Sequence, residues 1–433
     1  MGLDIKGENM KMGLSDTIKS GIIHRSRIAL LATTATILAA CGSSTTTSHA
    51  SVSTTSPSAS TSSVAGKPYI IHAIVSETGS AAFLGSREAK ALGKLEGQVN
   101  ASGGIDGHPV KFDILDNQSS PATSVSLATP LVSSAVPFIL NGSVVAVDKA
   151  VDDLATASGP FIYDLSPGAH PAAGSMEFSA GLSTTFMAQT YLTYFKAKGW
   201  TNIAAITSTD ASGVDGFNQL KATLAKPEFS SFHLLTHQTF DPTAVSVASQ
   251  LSVIKAAKPQ ALIIWTTGTP LGTVLNGMSS LAMSNIPTVT TDGNAAYAEL
   301  THFGSILPKS FYFPVGPLYL PPSDIANAAV RAKVQAFDTA VASAGGHPGV
   351  AWGLSWDPAQ LLIDAIKSLG INATAPQILN YMQNLHNVPG IFGMYNTSVS
   401  DHRGLATSDE TLTEWNGSSF TPVSGPGGTP LAG

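Results

Sequence analysis

The sequence predicts an α/β protein built from two units, each with a mostly parallel sheet covered by helices. Three observations support this fold class. Short apolar runs alternate with longer helical patterns from Lys67 onward, as is typical of parallel sheets. The alternation begins again after a long helix predicted at 184–198. The chain has 433 residues, and the part after Lys67 is long enough for two ordinary domains.

The first unit is predicted to begin with a buried strand at Tyr69–Val75, because that run is almost entirely apolar. Leucines at helical spacing from Leu84 predict a helix, and Gly103-Gly104 would end it. Alternating apolar and polar residues predict the next strand at 110–115. Further short strands are expected at 136–140 and 160–163.

The second unit is predicted from three more apolar runs, at 203–206, 261–265 and 287–290. Right-handed crossovers place the carboxyl ends of parallel strands along one edge of a sheet, which is where ligands usually bind. Two such units side by side would form a cleft.

The N-terminal segment has the features of a secretory signal. Lys19, Arg25 and Arg27 precede an apolar run at 28–40, which ends at Cys41, the single cysteine of the chain. The run is shorter than the roughly 20 apolar residues of a spanning helix. A buried free thiol behind a membrane helix is the alternative interpretation. The initiator is open between the first methionine and those at positions 10 and 12.

Residues 38–41 read Leu-Ala-Ala-Cys, which resembles the lipobox of bacterial lipoproteins. That resemblance implies cleavage just before Cys41 and a diacylglycerol on its thiol. Residues 42–66 are almost entirely small or hydroxyl-bearing and carry no formal charge. Such a stretch cannot bury enough apolar surface to order itself, so we expect a flexible tether to a membrane anchor.

Composition excludes several classes of protein. Only 12% of residues are charged and the net charge is −6; without a basic run, nucleic acid is not an expected partner. A single cysteine excludes an intrachain disulfide. His233 and His237 lie on a predicted strand, where four residues span about 13 Å, too far for one shared metal ion. We expect no metal and no cofactor.

Residues 100–110 read Asn-Ala-Ser-Gly-Gly-Ile-Asp-Gly-His-Pro-Val and precede an Asp-containing loop at 116–123. This order resembles the first helix–turn–strand of the periplasmic binding proteins for branched-chain amino acids. Further similar motifs lie at 76–79, 241–243, 255–261, 292–294, 356–362, 390–393 and 402–404. The resemblance covers roughly residues 69–423. It implies a two-lobed type I periplasmic-binding-protein fold with three crossover segments, expected near Phe178, Pro314 and Pro389.

The signal pattern and the resemblance together give the expected organisation. It comprises a signal peptide at 1–40, lipidated Cys41 with a tether at 41–66, an N-terminal lobe at 67–178 plus 315–388, and a C-terminal lobe at 179–314 plus 389–433.

The resemblance also implies a site between the lobes. One lobe would present amides and hydroxyls at helix N-termini to a ligand carboxylate, and the other an acidic side chain to the ammonium group. The ligand-binding positions carried onto this sequence are Ser80, Phe83, Asn141, Gly142, Ser143, Val145, Ala146, Ser166, Gly168, Ala169, His170, Ser212, Thr267 and Asp292.

Three of these positions depart from the family pattern. Ala146, or Val145, stands where a serine is expected, His170 replaces a threonine, and Ser212 replaces a tyrosine. Loss of one hydroxyl should weaken carboxylate binding by about 1 kcal/mol, and Asn141 or Ser143 could compensate for it.

Alternatives remain open for four residues. Asp292 would also serve as the N-cap of a following helix, and His170 as a solvated turn residue. Phe83 is either a lid over the ligand or a packing residue within its own lobe. Trp265 is expected mainly in the core.

The expected function is extracytoplasmic capture of a small polar ligand, an amino acid or a related compound, and its delivery to an ABC permease by a lipid-anchored monomer. No catalytic motif of the nucleophile-elbow, phosphate-loop or His-Glu-x-x-His type is present, so we expect no enzyme. A ligand-sensing receptor of the same fold is the alternative, and a hydrolase a remote one.

Overall fold

A computed structural model describes residues 66–431, which lie within one compact unit. The predicted signal peptide, Cys41 and most of the predicted tether lie outside the described residues. Between residues 66 and 431, no helix is both long and apolar enough to cross a bilayer.

The first sheet contains five parallel strands in the order β2-β1-β3-β4-β5. Its strands are β1 at Tyr69–Val75, β2 at Val110–Asp116, β3 at Phe138–Asn141, β4 at Phe161–Asp164 and β5 at Glu177–Ser179. Three helices connect them, namely α1 at Ala82–Ala101, α2 at Pro121–Ser133 and α3 at Val145–Asp152.

Helix α1 shows why this part of the chain folds as it does. Its helically spaced Leu84, Leu92, Leu95 and Val99 are all buried, as the pattern predicts. The helix ends where Gly103 and Gly104 adopt positive φ angles of 97° and 72°, a backbone conformation that residues other than glycine rarely adopt.

The second sheet contains seven strands in the order β14-β13-β10-β9-β8-β6-β7. Its parallel part comprises β6 at Asn202–Ser208, β7 at His233–Phe240, β8 at Ala261–Trp265, β9 at Thr288–Val289 and β10 at Phe311–Val315. Two antiparallel strands extend it, β13 at Thr411–Trp415 and β14 at Phe420–Pro426. Its helices are α4 at Thr184–Ala197, α5 at Ala211–Leu224, α6 at Ala248–Ala257, α7 at Thr269–Ser280 and α8 at Tyr297–Phe303.

Three later helices return to the first sheet. They are α9 at Ala328–Ser343, α10 at Val350–Leu369 and α11 at Ala375–Met382, and a short hairpin of β11 at Val388–Pro389 and β12 at Met394–Tyr395 follows. Helix α10 packs along α1 and against β3, and α11 packs against β4. The chain therefore passes between the sheets three times, after β5, after β10 and after the hairpin. We call the first sheet with α1–α3 and α9–α11 the N-terminal lobe, and the second sheet with α4–α8 the C-terminal lobe.

Arg403 lies in the third passage, and its side chain is buried. One terminal nitrogen, Nη1, donates to the carbonyls of Ala180 at 2.7 Å and Gly181 at 2.9 Å. The other, Nη2, donates to the carbonyls of Pro167 at 3.0 Å and Ala169 at 2.7 Å, and also to Ser179 Oγ. Arg403 thus joins the third passage to the first passage and to the loop after β4.

Several carboxyl groups are buried within the lobes. Burial raises the pKa of Glu88 to about 8, with the Ser143 hydroxyl opposing the shift. Burial likewise raises the pKa of Asp292 to about 7 and that of Asp357 to about 6. These groups bind protons in the native state at pH values where an unfolded carboxyl does not.

Replacing Arg403 by Ala should lower the free energy of unfolding by about 3 kcal/mol or more, because four buried carbonyls lose a charged donor. Arg403→Lys should be intermediate, since an ammonium cannot reproduce the planar fork. Urea unfolding followed by circular dichroism measures both. Lys111→Ala, at the exposed position of β2, is the control and should lower the free energy of unfolding by under about 0.5 kcal/mol. Equal stability of Arg403→Ala and the control would contradict this role.

Stability should fall as pH rises from 6.5 to 8. In this window the native state holds protons on buried carboxyls, Glu88 among them, that the unfolded state has lost, so the free energy of unfolding decreases with pH. Burial lowers the pKa of His237 and His402, so these two groups oppose the slope near pH 6.5, and their effect fades as the pH rises.

Thermal melting across that pH range tests this, with Glu88→Gln as the isosteric comparison. Each unit of pKa shift corresponds to about 1.4 kcal/mol. Because glutamine does not titrate, the free energy of unfolding should fall less steeply with pH in the variant. A melting temperature that rises with pH in the wild type would contradict the assignment.

Candidate functional site

The carboxyl ends of the parallel strands in the two sheets face each other across a small chamber of about 40 Å³. We call it the inner chamber. It has room for only a few water molecules, each needing about 10–15 Å³. Both lobes line it, with Leu84, Ser143, Val144, Val145, Ser166, Pro167, Gly168 and Leu354 on one side and Thr184, Ser212, Asp215, Trp265, Thr267, Thr291, Asp292 and Gly293 on the other.

A second cavity of about 580 Å³, the outer chamber, adjoins the inner one. Val144, Val145, Ser212 and Thr267 line both. Its volume falls within the roughly 300–1,000 Å³ that is usual for small-molecule sites. The residues that line only the outer chamber are Ser80, Ala81, Phe83, Ser119, Ala146, Asp210, Ala211, Pro242, Thr243, Ala244, Val245, Thr269, Pro270 and Thr273.

The structure brings ten of the fourteen sequence-predicted positions to these chambers. Seven line the inner chamber, namely Ser143, Val145, Ser166, Gly168, Ser212, Thr267 and Asp292. Ser80, Phe83 and Ala146 line the outer chamber alone. The other four positions, Asn141, Gly142, Ala169 and His170, line neither.

Asn141 and Gly142 are held inside the N-terminal lobe instead. Asn141 Nδ2 donates to Asp164 Oδ1 at 2.9 Å and to the carbonyl of Asp148 at 3.2 Å. Gly142 has a φ of 145°, and a Cβ atom there would lie 2.3 Å from Asp148 Oδ1. The predicted compensation by Asn141 therefore has no support in this structure, because its amide nitrogen is already used within the lobe.

Ser143 lines the inner chamber, but its hydroxyl is also occupied. Its Oγ accepts the Ser76 N–H at 3.0 Å and donates to Glu88 Oε2. The backbone φ of Ser143 is 125°, a strained value for a residue with a side chain. The two partners hold this strained residue in place.

Ala169 and His170 contribute through other groups. The carbonyl of Ala169 accepts from Arg403. His170 Nε2 lies 2.8 Å from Asp215 Oδ1, so the side chain bridges the two lobes at the edge of the inner chamber. This contact replaces the alternative of a purely solvated turn residue.

Asp292 lies in the loop after β9, with only 3% of its surface exposed. Its Oδ1 accepts from Thr291 Oγ1 at 3.2 Å. The N-cap of the short turn at Asp292–Asn294 is Thr291, and α8 begins only at Tyr297. The carboxyl of Asp292 is therefore not a helix cap. Burial raises its pKa to about 7, while Thr291 and the more distant Arg403 oppose the shift.

Asp215 is a functional candidate that sequence reasoning missed. It lies on α5 one turn after Ser212, and its Oδ2 accepts from Thr184 Oγ1 at 2.8 Å. Gln219 Nε2 donates to Oδ1 at 3.2 Å. The sequence did contain a signal for Asp215. Asp210 is the N-cap of α5, and residues three apart on a helix, such as Ser212 and Asp215, share a face.

Phe83 and Trp265 have distinct positions at the walls. A Cβ atom on Gly268, in the C-terminal lobe, would lie 2.7 Å from Phe83 Cε1. The Phe83 ring therefore reaches across the cleft, which favours the lid over packing within its lobe. Trp265 is 2% exposed and packs against Gly216 of α5, so it is a core residue whose edge lines the inner chamber.

Arg87 of α1 also crosses the cleft. Its Nη2 lies 2.9 Å from Glu299 Oε1 on α8. With the Phe83 and His170 contacts, this pair joins the lobes around the inner chamber, so the structure has a closed cleft.

An acidic cluster lies outside both chambers. Carboxylate oxygens of Asp152, Asp164 and Glu177 lie within 4.8 Å of one another. Burial raises the pKa of Asp152 to about 6 and that of Glu177 to about 7. With one oxygen from each residue the cluster supplies three ligand atoms, fewer than the six to eight that calcium takes, and we assign no metal to it.

The family model described as periplasmic binding protein matches residues 69–419. No curated protein matches the chain. An extracellular ligand-binding receptor from Rhodopseudomonas palustris HaA2 superposes with a TM-score of 0.73 at 22% identity, over 82% of this chain and 99% of that one.

Two ligand-bound structures are also similar. The branched-chain amino acid transporter substrate-binding protein of Streptococcus pneumoniae, in complex with isoleucine, has a TM-score of 0.67 at 18% identity, over 82% of this chain and 97% of that one. A solute-binding protein of an ABC transporter from R. palustris, in complex with benzoate, has a TM-score of 0.68 at 20% identity, over 84% of this chain and 98% of that one. The two-lobed type I fold predicted from the sequence is confirmed, and the chain belongs to the periplasmic binding protein family.

Proposed function

We propose that this protein captures a small organic solute between its two lobes and delivers it to an ABC importer. One observation carries the proposal. Hydroxyl side chains from both lobes, and two carboxyls from the C-terminal lobe, converge on one chamber, at the edges of the sheets where parallel α/β proteins bind ligands. A solute bound there would be gripped by both halves at once.

The two ligand-bound neighbours support a compact solute. Isoleucine and benzoate are both small organic molecules, of a size suited to the combined chambers. The inner chamber of about 40 Å³ is too small for either. The solute would therefore enter an open cleft, and its contacts with both lobes would then favour the closed form.

The proposed lobes comprise residues 67–178 with 315–388, and residues 179–314 with 389–433. Their relative motion would be a hinge at the three passages, where Arg403 joins the first and third. The proposed ligand contacts are the ten predicted positions that line the chambers, to which we add Thr184, Asp215 and Thr291. Binding would leave the solute chemically unchanged.

We further propose that the protein works outside the cytoplasm as a lipid-anchored monomer. The support is the sequence around Cys41 and the uncharged stretch that follows it. Cleavage before Cys41 and acylation of its thiol would hold the lobes near a permease in the same membrane. Each buried methylene of the lipid adds about 0.8 kcal/mol to membrane binding.

A thermal-shift panel of amino acids, amines, amides and small aromatic acids should identify at least one stabilising solute. A ligand at 100 times its dissociation constant adds about 2.7 kcal/mol to the free energy of unfolding. Ser212→Trp should abolish the shift, because residue 212 lines both chambers. Ser252→Trp, on an exposed face of α6, should retain it. No shift from any solute, or an equal shift in Ser212→Trp, would contradict capture in the cleft.

Cys41→Ser in the full-length chain should move the protein from the membrane fraction to the soluble fraction of a bacterial host, because no thiol remains to be acylated. Metabolic labelling with an alkyne fatty acid should mark the wild type and not the variant. Ser43→Ala is the control and should stay in the membrane fraction. Labelling of the serine variant would exclude Cys41 as the lipid site.

A further inference from the structure

The N-terminal lobe offers few free side-chain donors to a ligand carboxylate. The hydroxyl of Ser143 is occupied by Ser76 and Glu88. The amide nitrogen of Asn141 is used by neighbours within the lobe. Ala146 has no hydroxyl. The loop that a carboxylate would meet is therefore poor in side-chain hydrogen-bond donors.

Two helices begin near the chambers, and their N-termini differ. Helix α3 has no side-chain cap, and the buried Asp148 carboxyl in its first turn accepts the Ser166 N–H at 3.1 Å and lies against Gly142. At the start of α5, Asp210 Oδ1 accepts the Gly213 N–H at 3.0 Å. An acid of the protein itself therefore occupies the N-terminus of α5.

The inner chamber, by contrast, has two carboxyls in its wall and no Lys or Arg side chain among its described lining residues. The two carboxyls are those of Asp215 and Asp292, both in the C-terminal lobe. His170, Gln219 and Thr184 already bond the Asp215 carboxyl, which leaves one of the roughly four acceptor positions of a carboxylate for a ligand. The nearby guanidinium of Arg403 directs its terminal N–H groups at carbonyls and Ser179. A buried acidic wall favours a cationic, donor-rich partner.

The outer chamber differs from the inner one in charge. Its lining is apolar or hydroxyl-bearing, with rings and aliphatic groups such as Phe83, Val145 and Pro270. Asp210 is its single ionisable side chain among the described residues, and that carboxyl caps α5. The part of a solute that lies here should be uncharged.

We infer, on the basis of the proposed function, that the solute is a primary amine, amidine or guanidine. Its cationic head lies between Asp215 and Asp292, and its uncharged body fills the outer chamber. A carboxylate beside the head is not required for binding. Asp215 is thus a specificity-determining residue as well as a partner of His170.

Matched solutes test this inference by isothermal titration calorimetry of the chain from Gly42 onward at pH 7.5. Isopentylamine, 4-methylpentanoate and leucine have the same branched hydrocarbon chain. The first carries an amine, the second a carboxylate, and leucine carries both. Benzylamine, phenylglycine and phenylacetate form a second set, and benzamidine and benzoate a third. In at least one set, the amine or amidine should bind at least tenfold more tightly than the acid. If that set contains an amino acid, the amine should also bind as tightly as that amino acid.

The outcomes separate this inference from the proposed function. An acid or amino acid that binds at least tenfold more tightly than its amine overturns the inference, whereas loss of that binding in Ser212→Trp would leave solute capture standing. Failure of every amine and amidine to bind also overturns the inference. If no solute of any class binds, the proposed function fails with it.

Asp215→Asn and Asp292→Asn should each lower the ratio of amine to acid affinity at least tenfold. Asp106→Asn, on an exposed turn far from the cleft, should leave that ratio unchanged. A residue that acted only in holding the lobes together would weaken both ligands equally. An unchanged ratio in Asp215→Asn, with folding verified by circular dichroism, would therefore exclude Asp215 as a determinant of specificity. If either variant fails to fold, the wild-type ratios alone decide the inference.

Discussion

The buried guanidinium of Arg403 is the contact on which the cleft depends. Its two terminal nitrogens donate to the loop after β4 and to the passage that follows β5. The loop, which supplies Ser166 and Gly168 to the inner chamber, is thereby tied to two of the three segments that cross between the lobes. The carbonyls of Ala180, Gly181 and Ala169 that accept from Arg403 are buried, and a buried carbonyl needs a hydrogen-bond donor. A movement of the passages should therefore move this loop as well.

Charge distinguishes the two sides of the cleft. The N-terminal lobe places Glu88 and Asp148 behind its ligand-facing loops, where they hold the backbone and fill polar space. The C-terminal lobe places Asp215 and Asp292 in the chamber wall. Burying these groups costs stability, as the raised pKa values of Glu88 and Asp292 indicate. Groups kept at such a cost are common where a protein binds a partner, and we propose that the partner of Asp292 is a cation.

Much of the fold follows from local patterns in the sequence. The alternation of apolar runs and helical segments predicts β1–β4 and β6–β9 but not β5, β10, β13 or β14, and the turn at Gly103-Gly104 places the end of α1. The roles of single site residues depend on contacts between distant parts of the chain. Ser143 meets Glu88 across 55 positions, and His170 meets Asp215 across 45. Asn141 was expected in the pocket, but the register of β3 with β4 places it beside Asp164. Such pairings come from tertiary packing, to which hydrophobic periodicity is insensitive.

The most direct test of solute capture in the cleft is a crystal structure of the protein with the tightest solute from calorimetry. We predict electron density for that solute between the lobes, in contact with residues of both and with a cationic group within hydrogen-bond distance of Asp292. Density on the outer surface of one lobe, with the inner chamber unchanged, would contradict the account.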